Sequence, residues 1–440
     1  LVLHREGAET TRRGTYRGYC DYATFFESVC RDVQRVVERE SGVKPSITHV
    51  VMALQDATIR RVDTGAGMTP GVGSFRGLGQ GDVSSPVRSK LMLAIMQRAV
   101  HRLCCGGTMG TPHGCSEAAM PAVLFADDAA YCADSVAGLQ LMFDVTWMIA
   151  RAAGLTIGIN AKGTKTAWSG GAWRHDASEW IWEAGGDSHE IRLPDQRKVP
   201  YVETYKHLGS PLESRQRFVD TRRKVVVRCK ALLTMLGRLG VLDAVQFERA
   251  ARAVVDAIIG YYGRSAPIDD ASCEEIEVVR RQALRAMGHL PCGAGSWMVY
   301  YPTAQGGLGC THARAAAAAA LADEMDRALS APAGRPNRVE AEAAVLGTYW
   351  RLGWRPSANA PTPLDWRPWH LLEQEQLSEE LVVEAWLRNC MRYGVMPCRT
   401  AASSEGALGV PMPVPTGEAA AAAESVWTRR RAFSRRLAAA

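Results

Sequence analysis

The sequence predicts an α+β fold, in which an antiparallel sheet carries helices on one face and a largely helical region follows. Three observations predict it. Two short apolar runs, AVLF (122–125) and AAYCA (129–133), flank the acidic pair Asp127-Asp128 and read as a β-hairpin. Between the short strand-like runs, apolar residues recur at helical spacing, as at Phe25, Phe26, Val29, Val33, Val36 and Val37. From Arg215 to about Met287 the pattern is helical and rich in charge.

In chain order, residues 1–16 are polar and frayed, and YCD (19–21) ends a strand. A helix then runs to about residue 40, closed by Ser41-Gly42 and Pro45, and a second covers about 46–60. Glycine-rich sequence from Gly65 to Gly81 requires loops or turns. Residues 84–103 form a long helix with Pro86 in its first turn, where the missing N–H has no partner to lose. After the acidic hairpin, 135–153 return to helix and LTIGIN (155–160) gives another strand. Beyond Met287 come a loop (291–310), an alanine-rich helix to about Leu329, and a linker rich in Pro, Gly and Asn (331–365). A tryptophan-containing helix (366–393) and a basic tail of low complexity close the chain. The boundaries expected are 1–214, 215–290, 291–365 and 366–440.

With 440 residues and 47% hydrophobic content, the chain buries a real core in two to four domains. A net charge of +6, from 52 basic and 46 acidic residues, admits a nucleic-acid partner without demanding one. The 12 cysteines are scattered, and LVLHREGAET lacks the pattern of a secretory leader, so reduced thiols in an intracellular protein are expected. No run of about 18 apolar residues occurs, so no membrane partner is expected. Cys104, Cys105, His113 and Cys115 do not have the spacing of a regular zinc site.

Adjacent carboxylates repel unless something neutralises them, and oxygen ligands on neighbouring strands suit hard divalent cations. Asp127 and Asp128 at a hairpin tip, with Asp21 just before a helix, are the candidate ligands. Simpler readings stand beside this one: Asp-Asp is at home in a turn, and Asp21 can be a helix N-cap.

Five blocks in order resemble the reverse transcriptase domain of non-LTR retrotransposons: YCDYATFFESV (19–29), RGLGQGDVSSP (76–86), FADD (125–128), AGLTIGINAKGTKT (153–166) and YKHLGSPL (205–212). The resemblance implies a polymerase palm over 1–214 with residual fingers, then a helical thumb over 215–290. It implies an RNA-directed DNA polymerase whose partners are an RNA template, a DNA primer and deoxynucleoside triphosphates. Two Mg²⁺ ions, or Mn²⁺, would be held by Asp21, Asp127 and Asp128. Phe26 would lie beneath the sugar, and Gln80, Gly81 and Asp82 beside the template base and nucleotide. Lys165 would assist the leaving pyrophosphate, although Lys162 also lies near the expected place. Tyr205, Lys206, His207, Leu208 and Gly209 would grip the primer. Arg215, Arg217, Arg222, Arg223, Lys224, Arg228 and Lys230 would follow the nucleic-acid backbone, and a nuclear location is implied.

The sequence departs from the family pattern in places. Few residues precede Asp21 where the fingers belong, Phe25 stands where a small residue is usual, and Arg88 to Lys90 replace an apolar and Asn-bearing stretch. These departures raise the alternative of a catalytically inactive, domesticated or truncated copy acting as a nucleic-acid-binding or scaffold protein. An RNA-synthesising polymerase is a third reading, opposed by Phe26 and the QGD block.

Overall fold

The computed structural model describes residues 14–57, 59–61, 63–73, 76–78, 83–104, 107–109, 118–120, 122–125, 128–176, 179–214, 218–239, 242–287, 297–300, 308, 310–329, 331, 341, 344–345, 348, 377–378, 381–392, 395–399 and 408–413. The chain divides into two compact units, one of Arg12–Met109 with Ala119–Gly209, the other dominated by Ser210–Ala440.

The first unit runs β1 (Thr15–Cys20), β2 (Tyr22–Ala23), α1 (Arg31–Glu40), α2 (Pro45–Asp56), α3 (Ser85–Leu103), β3 (Ala122–Phe125), β4 (Asp128–Ala133), α4 (Val136–Ala152), β5 (Thr156–Ile157), β6 (Ala167–Asp176), β7 (Glu179–Ala184) and β8 (Thr204–His207), with shorter strands between. Five of these strands form an antiparallel sheet in the order β7-β6-β1-β4-β3. The mixed helix-and-strand class predicted from the sequence is observed, with its antiparallel sheet.

All six residues of β1 are buried, which follows from its place in the middle of the sheet with both faces covered. On one face, Gly18 leaves the space that α4 fills. A Cβ there would stand 2.8 Å from the Phe143 ring and 2.9 Å from Leu139. Helix α4 starts at Ser135, whose Oγ accepts from the Gly138 N–H at 3.1 Å. It turns Leu139, Met142, Phe143, Thr146 and Ala150 inward at three- and four-residue spacing. The Thr146 and Tyr131 hydroxyls, 2.9 Å apart, tie α4 to β4. Helix α3 packs beside α4 and over β3, burying Met92, Leu93, Met96 and Val100. On the opposite face of β1, the Tyr19 ring stacks on Tyr205 of β8.

The structure departs from the sequence reading at three points. The helix expected from Phe25 to Glu40 is interrupted: Phe25–Ser28 makes one turn, Val29 is extended, and α1 begins at Arg31. Distant backbone holds this break, because Gly77 N donates to Val29 O and Cys30 N donates to Ala153 O, each at 2.9 Å. LTIGIN contributes only the two residues of β5, which pair with β2. The β6–β7 hairpin at the sheet edge had no counterpart in the sequence reading. Arg88, one of the departures from the family pattern, is buried and bonds Glu38 of α1 at 2.5 Å and Gln55 of α2 at 2.6 Å. It ties three helices through one paired charge.

The second unit contains α5 (Val219–Arg238), α6 (Ala244–Ala251), α7 (Ala257–Gly263), α8 (Asp270–Met287), α9 (Ala313–Leu329) and α10 (Val382–Arg392). A π-helical stretch, Arg252–Asp256, joins α6 to α7. At its end Asp256 pairs at 2.5 Å with Arg280 of α8, a fully buried guanidinium. Val225, Cys229, Leu233, Phe247, Ile259 and Ile276 belong to one core. A second cluster joins Leu321 and Met325 to Trp386 and to Ala341, Ala344 and Val345, helical positions within 331–365.

Cys20, Cys30, Cys104, Cys132, Cys229, Cys273 and Cys310 form no disulfide, and all but Cys30 are buried. Burial pushes the Cys20 and Cys229 thiols up to about 12. Among the described residues, no helix is long and apolar enough to cross a membrane.

Candidate active site around Asp21 and Asp128

Strand register brings the site together. Tyr19 pairs with Ala130 and Cys20 with Ala129 across β1 and β4, so the next step of the ladder sets Asp21 beside Asp128. On the other side of β1, Tyr19 pairs with Ala167 of β6, and continuing that register sets Lys165 beside Asp21. Three segments far apart in sequence thus present a cation, a carboxylate and a second carboxylate along one end of the sheet.

The backbone of Asp21 is held on both sides. Its N–H donates to Thr166 Oγ1 at 3.2 Å, and its carbonyl accepts from Gly158 N at 2.9 Å. The carboxylate is mostly buried, 16% exposed, and Lys165 Nζ lies 3.2 Å from Oδ2 and 3.4 Å from Oδ1. Oδ2 is buried and accepts no hydrogen bond. Gly158 borders it so closely that a Cβ would stand 3.1 Å from Oδ2. Asp128 opens β4, pairs with Phe125 across the hairpin, and is half-buried.

Tyr205 lies beneath this edge. Its ring stacks on Tyr19 with centroids 4.0 Å apart, and its hydroxyl donates to the Lys165 carbonyl at 2.5 Å. Burial holds the Tyr205 hydroxyl well above its ordinary value, and the charges of Asp128 and Asp21 push in the same direction.

The other candidates divide. Of the two lysines left open by the sequence, Lys165 is on Asp21, whereas Lys162 is exposed. Phe26 is half-buried and meets Phe25 edge-on at 5.5 Å. Phe25 itself is a core residue, its bulk turned inward with Tyr22. Gly77 and Leu78 run against the Phe26–Val29 backbone, Leu78 N donating to Phe26 O at 2.6 Å. A side chain at Gly77 is impossible there, because its φ is +85° and a Cβ would meet Phe26 O at 2.5 Å. Asp127, Gln80, Gly81, Asp82, Arg215 and Arg217 lie outside the described residues.

Two expectations are corrected. Tyr205 and His207 alternate inward along β8 while Lys206 faces out, so two of the five primer-contact candidates are spent on the interior. The turn after them, with Leu208 at φ 47° and Gly209 at φ 85°, leaves Leu208 exposed. Arg222 is also withdrawn from the backbone-contact set. It is buried, and it donates to Pro267 O at 3.0 Å and pairs with Asp269 at 3.1 Å. Arg223 and Arg228 are exposed, Lys224 sits over the Tyr262 ring, and Lys230 pairs with Glu275 at 3.1 Å.

Tyr19, Gly158 and Thr166 belong to the site without having been singled out by sequence. Thr166 had a signal in its neighbour Lys165, and Tyr19 in its alternation with Cys20, whereas Gly158 had none. Among the described residues, no group of three or more His, Cys, Asp and Glu gathers, and Asp127 lies outside them. Two carboxylates at neighbouring strand ends, one with a buried oxygen accepting no hydrogen bond, fit a hard divalent cation. No protein-family model matches the chain, and no curated protein matches it.

Proposed function

We propose that this chain is an RNA-directed DNA polymerase, similar to the reverse transcriptases of non-LTR retrotransposons. The first unit would act as its palm, and the helices that open the second as its thumb. The observation that carries this reading is the register that leads β1 into Asp21 and β4 into Asp128 at one sheet edge, with Lys165 paired to Asp21. Asp21 caps no helix, since Thr24 and Cys30 precede the two that follow it, and a turn gives no reason for the convergence of the two strands on aspartates.

Two Mg²⁺ ions, or Mn²⁺, held by Asp21, Asp127 and Asp128, would supply an activated primer 3′ hydroxyl and a neutralised triphosphate. The chain's own part is positional. Thr166 and Gly158 fix the main chain of Asp21, so its carboxylate is presented without reorganisation. Phe26, braced edge-on by Phe25, would lie under the sugar and exclude a 2′ hydroxyl, making deoxynucleotides the substrate. Arg223 and Arg228 would bind phosphates of the RNA template and DNA primer without reading bases. Work on chromosomal DNA would put the protein in the nucleus.

The test is extension of a labelled DNA primer on an RNA template by the full chain with Mg²⁺. Extension should proceed with deoxynucleotides, discriminate against ribonucleotides, and fall about a hundredfold or more in Asp21→Asn and Asp127→Asn. Equal signal from all three proteins would sink the reading. The exposed Arg223 and Arg228 favour a second reading, binding without catalysis. It predicts salt-dependent nucleic-acid binding that survives Asp21→Asn, with no extension by any form.

A further inference from the structure

We infer that Lys165 is a displaceable counter-ion: its ammonium neutralises Asp21 while no divalent cation is bound and must leave for one to bind. The inference rests on the metal reading above. Its basis is an asymmetry between main chain and side chain at Lys165. The main chain is anchored on both sides, because Tyr205 donates to the Lys165 carbonyl and the next residue, Thr166, donates its N–H to Gly158 O at 3.0 Å. The side chain is 54% exposed, whereas the Asp21 carboxylate it touches is 16% exposed.

Nζ lies within 3.4 Å of both carboxylate oxygens, so the ammonium occupies the approach that any cation held by Asp21 would need. Gly158 closes one side of Oδ2, and among the described residues no donor hydrogen-bonds that oxygen. Without Lys165, the mostly buried Asp21 carboxylate would keep no ion pair among the described residues. An ion pair with an exposed lysine is weak, which lets it balance the site and still yield to a divalent ion. Once displaced, the ammonium remains tethered at the rim on its flexible stem, free to meet the phosphates of an arriving nucleotide. Cation binding and the release of this lysine are therefore one event.

Mn²⁺ binding to the full chain, followed by electron paramagnetic resonance without nucleotide or primer, tests this. Lys165→Met should tighten Mn²⁺ about fivefold, the competing charge having been removed. Lys165→Arg, which keeps the charge, should bind no more tightly than wild type. The gain in Lys165→Met should vanish when Asp21→Asn is added, which assigns it to this site. Far-ultraviolet circular dichroism verifies folding of each variant. If Mn²⁺ binds in an Asp21-dependent way but Lys165→Met leaves its affinity unchanged, the counter-ion role is overturned and the polymerase reading stands. If no Asp21-dependent Mn²⁺ binding occurs in any form, both fall together.

Discussion

Gly18 is a point of close approach in the first unit, because helix α4 rests where its side chain would be. With Phe143 and Leu139 within 3 Å of an added Cβ, Gly18→Ala forces a strand or a helix to move. The expected cost is about 1–3 kcal/mol, read from urea unfolding, with part recovered in Gly18→Ala/Phe143→Leu. Unchanged stability in Gly18→Ala would mean that α4 does not bear on β1. The same scale separates what could be read in sequence from what could not. Asp21, Asp128 and Lys165 were legible because their residue types and order carried a resemblance. Gly158 was not, since its role is to leave room beside Oδ2, and a missing side chain leaves no mark in the pattern.

Helix α5 shows how a charge run conceals two kinds of residue. Arg222 is in phase with Val225, Val226 and Cys229, all buried, whereas Arg223 and Arg228 fall on the outer face. Helical period would have separated them, and counting charges did not. Arg222→Ala, which takes a donor from Pro267 O and the ion pair from Asp269 while leaving Asp269 its Ser272 N–H, should destabilise by about 1–3 kcal/mol. Arg223→Ala and Arg228→Ala should leave stability within about 0.5 kcal/mol while lowering affinity for nucleic acid and its salt dependence. Chemical denaturation paired with anisotropy across a salt series measures both effects; stability costs that do not separate in this way would refute the assignment of faces. Among the strands, β3 and β4 were legible as apolar runs around an acidic turn. The β6–β7 hairpin was not, because it lies at the sheet edge. Its outer half carries Arg174, His175, Asp176, Glu179 and Glu183 among cross-strand tryptophans, so no apolar run marks it. The break at Val29 was hidden for another reason: its cause is a pair of backbone hydrogen bonds from distant loops, while the local apolar spacing stays helical throughout.

At the scale of the whole molecule, each of the two units holds a histidine whose neutral form it favours, buried in the first and half-buried in the second. In the first, burial lowers His207 of β8 to about 4. In the second, His312 is lowered in the same direction, chiefly by burial and against the pull of Glu277. Its Nδ1 accepts the Arg314 N–H at 3.1 Å as α9 begins, which a proton on that nitrogen would abolish. Both groups take up protons less readily folded than unfolded. Their contribution is therefore complete above the unfolded value of about 6.5 and is lost as the pH falls below it, for His207 until about 4. For His207 the full loss is at most about 3 kcal/mol. Hydrogen exchange compared at pH 7 and pH 5, corrected for intrinsic rates, should show protection falling in β1, β4 and β6 and also in α8 and α9. His207→Phe should flatten the fall in the first unit alone. His312→Asn, which keeps an acceptor for the Arg314 N–H, should flatten it in the second alone. If either substitution flattened both units, the acid response would belong to a single cooperative body, and if neither did, groups other than these two histidines would govern it.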